Sequence, residues 1–332
     1  MKRTGGLLEQ IADPDNLRLA FWKARKGKDQ SKQVREYRDH LEERLLELRR
    51  QILFGNIAVG EYRCFEIFDP KRRQICAAPF SEQVLHHALM NVCHDYFEKK
   101  QIFDSYASRP AKGAQAAVKR AQLFSRSCAW FLKLDVRKFF ASIHHERLKE
   151  QLRRMFKDWR LLEIFEAIID SCEDSLGRGV PIGNLSSQYF ANHYLTELDH
   201  FIKEKLYAKK YVRYMDDMVL WHDDKTLLKE WHQEVKVFVR NILQCELKPE
   251  LLNRTELGVP FLGYRIFPFY IRLLQRSKAR FVRKMRHIDQ QHQSGAWSEK
   301  DCQRRVLPLA AFTALADAAE FRRNVMATCC HS

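Results

Sequence analysis

Residues 211–221 read Tyr-Val-Arg-Tyr-Met-Asp-Asp-Met-Val-Leu-Trp, so that two short runs rich in β-branched and aromatic residues flank Asp216 and Asp217. This pattern is typical of a tight β-hairpin that carries both carboxylates at its tip. Neighbouring carboxylates repel each other, and such a pair stays ionised when a strong cation such as Mg²⁺ lies close to both. Aspartate is also common in turns, so a solvated turn is the alternative for this hairpin taken alone.

A further carboxylate lies upstream of the hairpin. Residues 130–140 read Trp-Phe-Leu-Lys-Leu-Asp-Val-Arg-Lys-Phe-Phe, which predicts a buried apolar strand ending at Asp135. This strand end and the Tyr-Met-Asp-Asp hairpin together resemble the palm of a reverse transcriptase. The resemblance implies that Asp135, Asp216 and Asp217 are catalytic and bind two Mg²⁺ ions, with Mn²⁺ as an alternative metal. It implies that the backbone carbonyl of Val136 is a further metal ligand.

Composition sets bounds on the class of protein. The chain has 332 residues, of which 45% are hydrophobic, enough for a substantial core and two or three subdomains. Its 58 Lys and Arg residues exceed its 42 Asp and Glu residues, and the formal net charge of +16 predicts a polyanionic partner. The sequence shows no run of 18 apolar residues and no apolar segment after Met1. We therefore expect no membrane span, no secretory signal and a cytoplasmic location.

The nine cysteines are scattered without a Cys-x-x-Cys pair. This spacing favours reduced thiols in a cytosolic protein over a disulfide framework. Cys329, Cys330 and His331 are weak metal-ligand candidates, because a second cluster that would complete a tetrahedral site is lacking.

Residues 15–55 are predicted to be helical. Asn16 is a candidate N-cap for a first helix, and a second helix has one apolar stripe formed by Leu41, Leu45, Leu48 and Ile52. The basic segment at 23–28 is either a solvated connection or a nucleic-acid contact.

Residues 56–82 predict paired strands joined by a turn at 69–72, followed by a helix with an apolar inner face at 84–93. Residues 104–114 read Asp-Ser-Tyr-Ala-Ser-Arg-Pro-Ala-Lys-Gly-Ala before a helix that opens near Gln115. A glycine and cations just before a helix N-terminus favour phosphate binding. In the reverse-transcriptase resemblance this is the fingers region, where the triphosphate of the incoming nucleotide is steadied by Arg73, Arg109 and Lys112. An ion pair with Asp104 is the alternative for Arg109.

Phe140 stands five residues after Asp135. In reverse transcriptases a bulky aromatic at this place lies under the sugar, so the resemblance implies that Phe140 excludes the ribose 2′-hydroxyl and selects dNTPs. Adjacent strand residues point to opposite faces, so at least one of Phe139 and Phe140 should belong to the core.

Residues 144–172 are predicted to be helical, with an apolar side formed by Leu148, Leu152, Met155 and Phe156. The loop and helix at 178–192 follow, where Gly183 leaves room for close approach of a ligand and Ser186 and Ser187 are candidate helix caps.

Most reverse transcriptases carry Pro-Gln-Gly and Ser-Pro in this loop, whereas this chain has Pro181-Ile182-Gly183 and Ser187-Gln188. The departure resembles the reverse transcriptases of diversity-generating retroelements, which copy a template RNA with frequent errors at adenines. Such an enzyme is bacterial or phage-encoded. The resemblance places Ile182, Gly183 and Gln188 at the nucleotide, and it implies a small basic accessory protein oligomer as a partner beside the template RNA, the primer or cDNA, and dNTPs.

The C-terminal third predicts a helix at 227–243 and a primer-grip hairpin at 261–268, the latter from the same resemblance. The nucleic-acid contacts expected around that grip are Tyr214, Gly263 and Tyr264. A helix at 274–288 has an apolar face and a basic face, and the basic face carries Arg276, Arg280 and Arg283. This basic face either meets a duplex backbone or is merely solvated. One more helical stretch is predicted at 309–325.

These elements predict an α+β fold of the right-hand polymerase type. Residues 1–130 would form an N-terminal segment and the fingers, 131–268 a palm with an antiparallel sheet and helices, and 269–332 a helical thumb. The predicted function is RNA-directed DNA polymerisation for a diversity-generating retroelement. The alternatives are a retron-type or group II intron-type reverse transcriptase, and a non-catalytic RNA-binding scaffold with a polymerase-like palm.

Overall fold

The structure is a computed structural model that describes residues 3–55, 57–68, 72–172 and 175–330, apart from the side chains of the last two. The α-helices are α1 (Leu8–Ile11), α2 (Pro14–Arg25), α3 (Lys32–Asp39), α4 (Leu41–Phe54), α5 (Phe80–Glu98), α6 (Ala114–Arg126), α7 (Phe139–Ser142), α8 (His145–Met155), α9 (Trp159–Asp170), α10 (Leu185–Tyr194), α11 (Thr196–His200), α12 (Lys225–Asn241), α13 (Gln275–Gln293), α14 (Glu299–Ala314) and α15 (Ala319–Cys330). The strands are β1 (Arg63–Phe68), β2 (Arg72–Ala77), β3 (Trp130–Asp135), β4 (Tyr211–Tyr214), β5 (Asp217–His222), β6 (Leu251–Arg254), β7 (Val259–Phe261), β8 (Tyr264–Ile266) and β9 (Ile271–Leu273). A π-helical turn spans Phe201–Lys205.

The chain forms two compact units, and each is built from separated stretches of sequence. The first unit contains Met1–Phe103, Val136–Lys205 and Glu234–Leu247. The second unit contains Asp104–Asp135, Leu206–Gln233 and Lys248–Ser332. Residues 69–71 of the predicted turn and the Cys329, Cys330 and His331 side chains lie outside the described residues.

Helices dominate the first unit, and α5 is its central element. Its buried residues include Val84, Leu85, Ala88 and Leu89, which confirms the predicted inner face. The stripe on α4 is confirmed as well, because Leu45, Leu48 and Ile52 are all buried.

The predicted cap at Asn16 is wrong, because Asp13 caps α2. The Asp13 carboxylate accepts from the backbone N–H groups of Asp15 and Asn16, and Pro14 occupies the first helical position. The side chain of Asn16 instead donates to the carbonyl oxygens of Ile11 at 2.8 Å and Ala88 at 3.1 Å. Asn16 therefore fastens α2 to α5.

Three other predictions are corrected in this unit. The helix predicted over 144–172 is two helices, broken where the Asp158 carboxylate accepts from the backbone N–H groups of Gly6 and Leu7. The basic segment at 23–28 is partly helical, because α2 continues through Arg25. Asn184, rather than either serine, is the N-cap of α10, and Ser186 and Ser187 are buried inside the helix.

Phe139 and Phe140 lie on the short helix α7 instead of a strand, so the alternation argument does not apply to them. Phe139 is buried and Phe140 is half-buried. The expectation of reduced thiols throughout is also wrong, because Cys64 and Cys76 face each other across β1 and β2 and form a disulfide.

The second unit contains the predicted palm sheet, with strand order β4-β5-β3-β6 and antiparallel pairing. Val212, Val219 and Trp221 belong to one hydrophobic cluster together with residues of α6 and of the three-stranded sheet β7-β8-β9. The helix predicted over 309–325 is two helices, α14 and α15, because Asp317 between them exchanges hydrogen bonds with Ile271 on β9. No helix among the described residues is long and apolar enough to cross a membrane.

The anchoring role of Asn16 is testable by Asn16→Ala. We expect the free energy of unfolding to fall by about 1–3 kcal/mol, because two buried carbonyl groups and the Asn91 side chain lose their partner. Chemical denaturation measures this change. Gln33→Ala, at an exposed position of α3, is the control and should lower the free energy of unfolding much less. Equal losses of stability in the two variants would contradict the anchoring role of Asn16.

Candidate active site

The palm sheet brings the three predicted carboxylates to one edge. Asp135 ends β3 and lies directly opposite Asp217, the first residue of β5. Asp217 also pairs with Tyr214, so Met215 and Asp216 form the two-residue tip of the β4–β5 hairpin. Met215 has a φ of 54°, a left-handed conformation that is uncommon for a residue with a side chain. The hairpin prediction is confirmed.

The buried side chain of Arg213 binds the backbone of this hairpin tip. Arg213 on β4 is 0% exposed, and its Nη1 donates to the carbonyl oxygen of Met215 at 3.2 Å. Its backbone N–H donates to Asp104 and its carbonyl accepts from Tyr106, which attaches the 104–106 segment to β4. Arg213 is not among the site residues predicted from the sequence, although a charged residue inside an apolar strand is itself a signal of a specific buried partner.

The carboxylates are electrostatically crowded. Burial, and then the negative charge of Asp135, raise the pKa of Asp216 to about 6. Burial also raises the pKa of Asp217, and the positive charge of Lys133 opposes that shift more strongly than the negative charge of Asp135 adds to it. The charge of Arg276 on α13 acts in the same direction as that of Lys133. The site thus concentrates negative charge that a cation would stabilise.

Two lysines partner the carboxylates directly. Lys133 Nζ donates to Asp217 Oδ1 at 2.5 Å, and Lys248 Nζ donates to Asp135 Oδ1 at 2.6 Å. Lys133 lies two residues before Asp135 on the same face of β3, so strand periodicity could have identified it. Lys248 is distant from Asp135 in sequence, and a hydrogen bond from its backbone N–H to the Asp135 carbonyl positions it beside β3. The local sequence pattern therefore gives no indication of its role.

The donor set suits a hard divalent cation, because carboxylate oxygens are the ligands that Mg²⁺ prefers. Within the described parts of the chain, however, no group of three or more His, Cys, Asp or Glu side chains already has the spacing of a metal site. Asp135 and Asp217 each direct an oxygen to a lysine instead. Asp135, Asp216 and Asp217 are the residues that would hold the metal, which when bound polarises a phosphoryl oxygen and activates a hydroxyl group.

The predicted phosphate-binding residues of the second unit lie just before α6. Arg109 is half-buried, and its Nη1 donates to the carbonyl oxygen of Ser105 at 2.6 Å. Lys112 is half-buried, with its Nζ 5.0 Å from the centre of the Tyr106 ring. Asp104, the suggested alternative partner of Arg109, forms an ion pair with Arg120 at 2.8 Å.

The predicted primer-grip residues are largely structural. Tyr264 is 1% exposed and its hydroxyl donates to the carbonyl oxygen of Phe312 at 2.6 Å, so the side chain belongs to the core and its predicted contact with nucleic acid is not favoured. Gly263 has a φ of 90°, and a Cβ there would lie 2.9 Å from Ser277 Oγ. Tyr214 is half-buried against the hydrophobic cluster of the second unit.

Helix α13 has the two faces that the sequence predicts. Phe281, Met285 and Ile288 are buried, whereas Arg276, Arg280 and Arg283 are exposed. Arg276 also acts electrostatically on Asp217, so this end of the basic face belongs to the carboxylate site.

The remaining predicted site residues belong to the first unit. Arg73 is exposed on β2, Val136 is fully buried, and Gln188 is half-buried on α10. The carbonyl of Ile182 accepts from the N–H of Cys76 at 2.9 Å. Gly183 has a φ of 126°, and a Cβ there would lie 3.1 Å from Ile75 Cγ2, so β2 is a close neighbour at this glycine.

An antiparallel sheet that gathers three carboxylates at a hairpin tip and a neighbouring strand end defines the palm of a nucleotidyl-transferring polymerase. The chain belongs to the reverse transcriptase (RNA-dependent DNA polymerase) family, whose model matches residues 69–266. That range includes Asp135, Asp216 and Asp217. This family is that of RNA-dependent DNA polymerases, enzymes that copy an RNA template and depend on a divalent metal ion.

Relatives of known sequence agree with this assignment. The chain is 22% identical over 279 residues to protein YkfC of Escherichia coli K12, a match that covers 67% of this chain and 72% of YkfC. It is 21% identical over 266 residues to the group II intron-encoded protein LtrA of Lactococcus lactis subsp. cremoris, covering 59% of this chain and 44% of LtrA.

Solved structures show the same fold at low sequence identity. Telomerase from Candida tropicalis in complex with a TWJ fragment of telomeric RNA matches with a TM-score of 0.52 and 12% identity, over 87% of this chain and 57% of that one. Apo telomerase from the same organism matches with a TM-score of 0.50 and 12% identity, over 65% and 48%. The chain spans about half the length of these structural relatives.

The crowding of the carboxylates predicts a pH-dependent stability of the metal-free protein. Asp216 ionises near pH 3.9 in an unfolded chain, against about 6 in the folded protein. A raised folded-state pKa favours the folded state at low pH, and that advantage is lost as the pH rises from about 4 to about 6. Above this window the ionised Asp216 costs the folded state on the order of 3 kcal/mol.

Asp216→Asn should therefore raise the thermal unfolding midpoint at pH 7.5 in the presence of a chelator, and the gain should shrink as the pH falls to 4. Thermal unfolding of parent and variant at both pH values measures it. Glu234→Gln, at an exposed position of α12, removes the same charge and should leave the midpoint nearly unchanged. A variant of Asp216 that unfolds at or below the parent's midpoint at pH 7.5 would show that burial and the charge of Asp135 do not raise the pKa of Asp216 as described.

Proposed function

We propose that the protein is the reverse transcriptase of a diversity-generating retroelement, which makes cDNA with frequent errors opposite template adenines. Ile182 carries this proposal within the reverse-transcriptase family. Its backbone is held by the bond from Cys76, and the next polar residue, Asn184, accepts from the N–H of Ala78 at 3.3 Å. Ile182 is half-buried and offers a nucleotide only dispersion contact, because its side chain has no hydrogen-bonding group.

The polymerase chemistry in this proposal rests on Asp135, Asp216 and Asp217. These carboxylates would hold two Mg²⁺ ions or, alternatively, Mn²⁺, together with the Val136 carbonyl. Lys133 and Lys248 already neutralise part of the charge, so the carboxylates can be held close together in the folded protein. Arg276, at the N-terminal end of α13, also favours the ionised form of Asp217 through its positive charge.

In this proposal two groups of residues contact the incoming dNTP. Arg109 and Lys112 place cations beside the N-terminus of α6, where phosphate binding is favourable. The other proposed contacts come from the first unit and are Arg73, Phe140, Ile182, Gly183 and Gln188. Phe140 would select deoxyribose by excluding the 2′-hydroxyl.

Template RNA and cDNA are the polyanionic partners that the net charge of +16 favours. The exposed guanidinium groups of Arg276, Arg280 and Arg283 form one face of α13 that would follow a duplex backbone. Tyr214 and Gly263 are the proposed primer contacts, and Tyr264 would act only by supporting that hairpin. A small basic accessory protein oligomer and a bacterial or phage origin follow from the same retroelement proposal.

A group II intron-type or retron-type reverse transcriptase is the second candidate. The similarity to LtrA favours it, as does a 28% identity over 105 residues to an uncharacterised 91 kDa protein in the cob intron of Schizosaccharomyces pombe. Ile182 favours the retroelement instead. The error spectrum separates the two, because the retroelement proposal requires errors concentrated opposite adenine.

Primer extension on an RNA template tests the catalytic role of Asp216. Asp216→Asn should abolish dNTP incorporation in the presence of Mg²⁺, because it removes a ligand charge at nearly constant volume. Glu234→Gln should extend at the parental rate. Substantial incorporation by Asp216→Asn would contradict the carboxylate assignment, and an inactive parent with intact RNA binding would favour the non-catalytic scaffold.

The fidelity proposal is tested at Ile182. Ile182→Gln and Ile182→Asn should lower misincorporation opposite template adenine more than they lower total synthesis, because a polar side chain can fix the base pair geometry. Each ~1.4 kcal/mol of restored discrimination corresponds to about tenfold in accuracy. Sequencing of cDNA from one RNA template measures this. Ile182→Leu keeps an apolar side chain and should retain the parental spectrum, and equal adenine error rates in all four proteins would refute the role of Ile182.

A further inference from the structure

A cavity of about 480 Å³ lies in the first unit, and none of its lining residues is assigned to polymerisation. Its walls come from α8, from the end of α10, from α11 and the π-helical turn that follows it, and from the end of α12. Helical segments of the π type are rare and occur frequently at functional sites. The volume falls within the range of small-molecule sites in proteins.

The floor of the cavity carries polar atoms that lack partners. His193 and Gln151 both line it, and each is only 4% exposed. Among the described residues none forms a hydrogen bond of ordinary length and angle with either ring nitrogen of His193 or with Gln151 Oε1, although a backbone group of Gln151 lies close enough to the His193 ring to oppose the lowering of its pKa. Leaving such a group unsatisfied costs about 1–3 kcal/mol, so three unsatisfied atoms on one cavity floor indicate a missing ligand or solvent.

The chemistry of this floor is that of a neutral donor and acceptor pair. Burial and the nearby charge of Lys100 lower the pKa of His193 to about 4, so at neutral pH its ring has one N–H donor and one acceptor nitrogen. Gln151 Nε2 already donates to the carbonyl of Tyr194 at 3.2 Å, which leaves its oxygen as an acceptor. One donor and two acceptors thus lie buried in residues that line the cavity, each with less than 1 Å² of accessible surface.

The wall of the cavity is aromatic and its rim is basic. Phe201 and Phe238 stack on each other with ring centroids 4.6 Å apart. Four cations, Lys100, Arg147, Arg154 and Lys205, line the cavity against two acids, Glu197 and Glu204. Both arginines bind Glu197, while Glu204 binds His200. Glu150, which does not line the cavity, also pairs with both arginines, so the positive charge that remains around the opening comes from Lys100 and Lys205.

We propose that this cavity binds a single unstacked nucleotide, with the base edge on His193 and Gln151, the base plane near Phe201, and the phosphate at the basic rim. A base offers donors and acceptors on one edge together with a flat apolar face, and the phosphate matches the excess of cations. The nucleotide is either an unpaired residue of an RNA chain or a free mononucleotide. The RNA source rests on the proposed function, whereas the free source does not.

The experiment uses the full chain in a chelator, so that binding is separated from polymerisation. The four nucleoside 5′-monophosphates are titrated calorimetrically into the parent, His193→Phe and Gln151→Met. His193→Phe removes only polar atoms that lack partners, whereas Gln151→Met also removes the hydrogen bond from Nε2 to the carbonyl of Tyr194. Thermal unfolding of both variants therefore accompanies the titrations, and a loss of binding counts only in a variant that is folded at the temperature of the titration. We expect at least tenfold weaker binding in both variants, and no change in His292→Phe, a control at an exposed position of α13.

A second arm distinguishes the two sources. A short unstructured RNA containing 4-thiouridine is photo-crosslinked and the attachment site is identified by mass spectrometry. A crosslink within 193–205 that disappears in His193→Phe supports the RNA source. Monophosphate binding without such a crosslink supports the free nucleotide.

Two results would overturn the proposal: no monophosphate binding and no crosslink at 193–205 in the parent, or binding that His193→Phe and Gln151→Met leave unchanged. Primer extension by the parent is measured on the same preparation. Active extension with no ligand in the cavity refutes this inference alone, and an inactive parent that still binds monophosphates refutes the polymerase alone.

Discussion

The antiparallel pairing of β3 with β5 sets Asp135 directly opposite Asp217, with Asp216 beside them at the hairpin tip. Three carboxylates in that position repel one another, and the backbone hydrogen bonds of the sheet hold them there against the repulsion. Burial, and then the negative charge of Asp135, raise the pKa of Asp216 in this position. Three cations of the second unit, Lys133, Lys248 and Arg276, partly neutralise the negative charge of these carboxylates.

The hairpin tip also depends on a residue that never reaches the reacting groups. Arg213 holds the Met215 carbonyl and connects β4 to the 104–106 segment, which leads directly to Arg109 and Lys112. The position of the carboxylates and that of the basic segment before α6 are therefore set by the same strand. A buried charge whose donors are used in this way gives directional specificity that an apolar residue of equal volume cannot supply.

Local pattern was sufficient to predict β3, β4, β5 and the hairpin that joins the last two, because alternation and turn chemistry act within a few residues. It did not predict β6 or β9. It failed where a distant partner decides. Lys248 reaches Asp135 across 113 positions, and Asp158 ends a helical run because it accepts from Gly6 and Leu7. Asp13 and Asn16 lie three residues apart and have similar N-cap propensities, so the sequence does not show which of them caps α2. Asp13 is the cap, and the side chain of Asn16 binds the carbonyl of Ala88.

The interleaving of the two units along the chain bears on how the protein is made. The first unit is completed only when Glu234–Leu247 has been synthesised, and the second needs residues on both sides of that segment. Neither unit can therefore finish folding before the ribosome has passed residue 234. Many contacts of high sequence separation must form late, which slows folding and exposes apolar surface for longer. We therefore expect neither unit to be obtainable by a simple truncation.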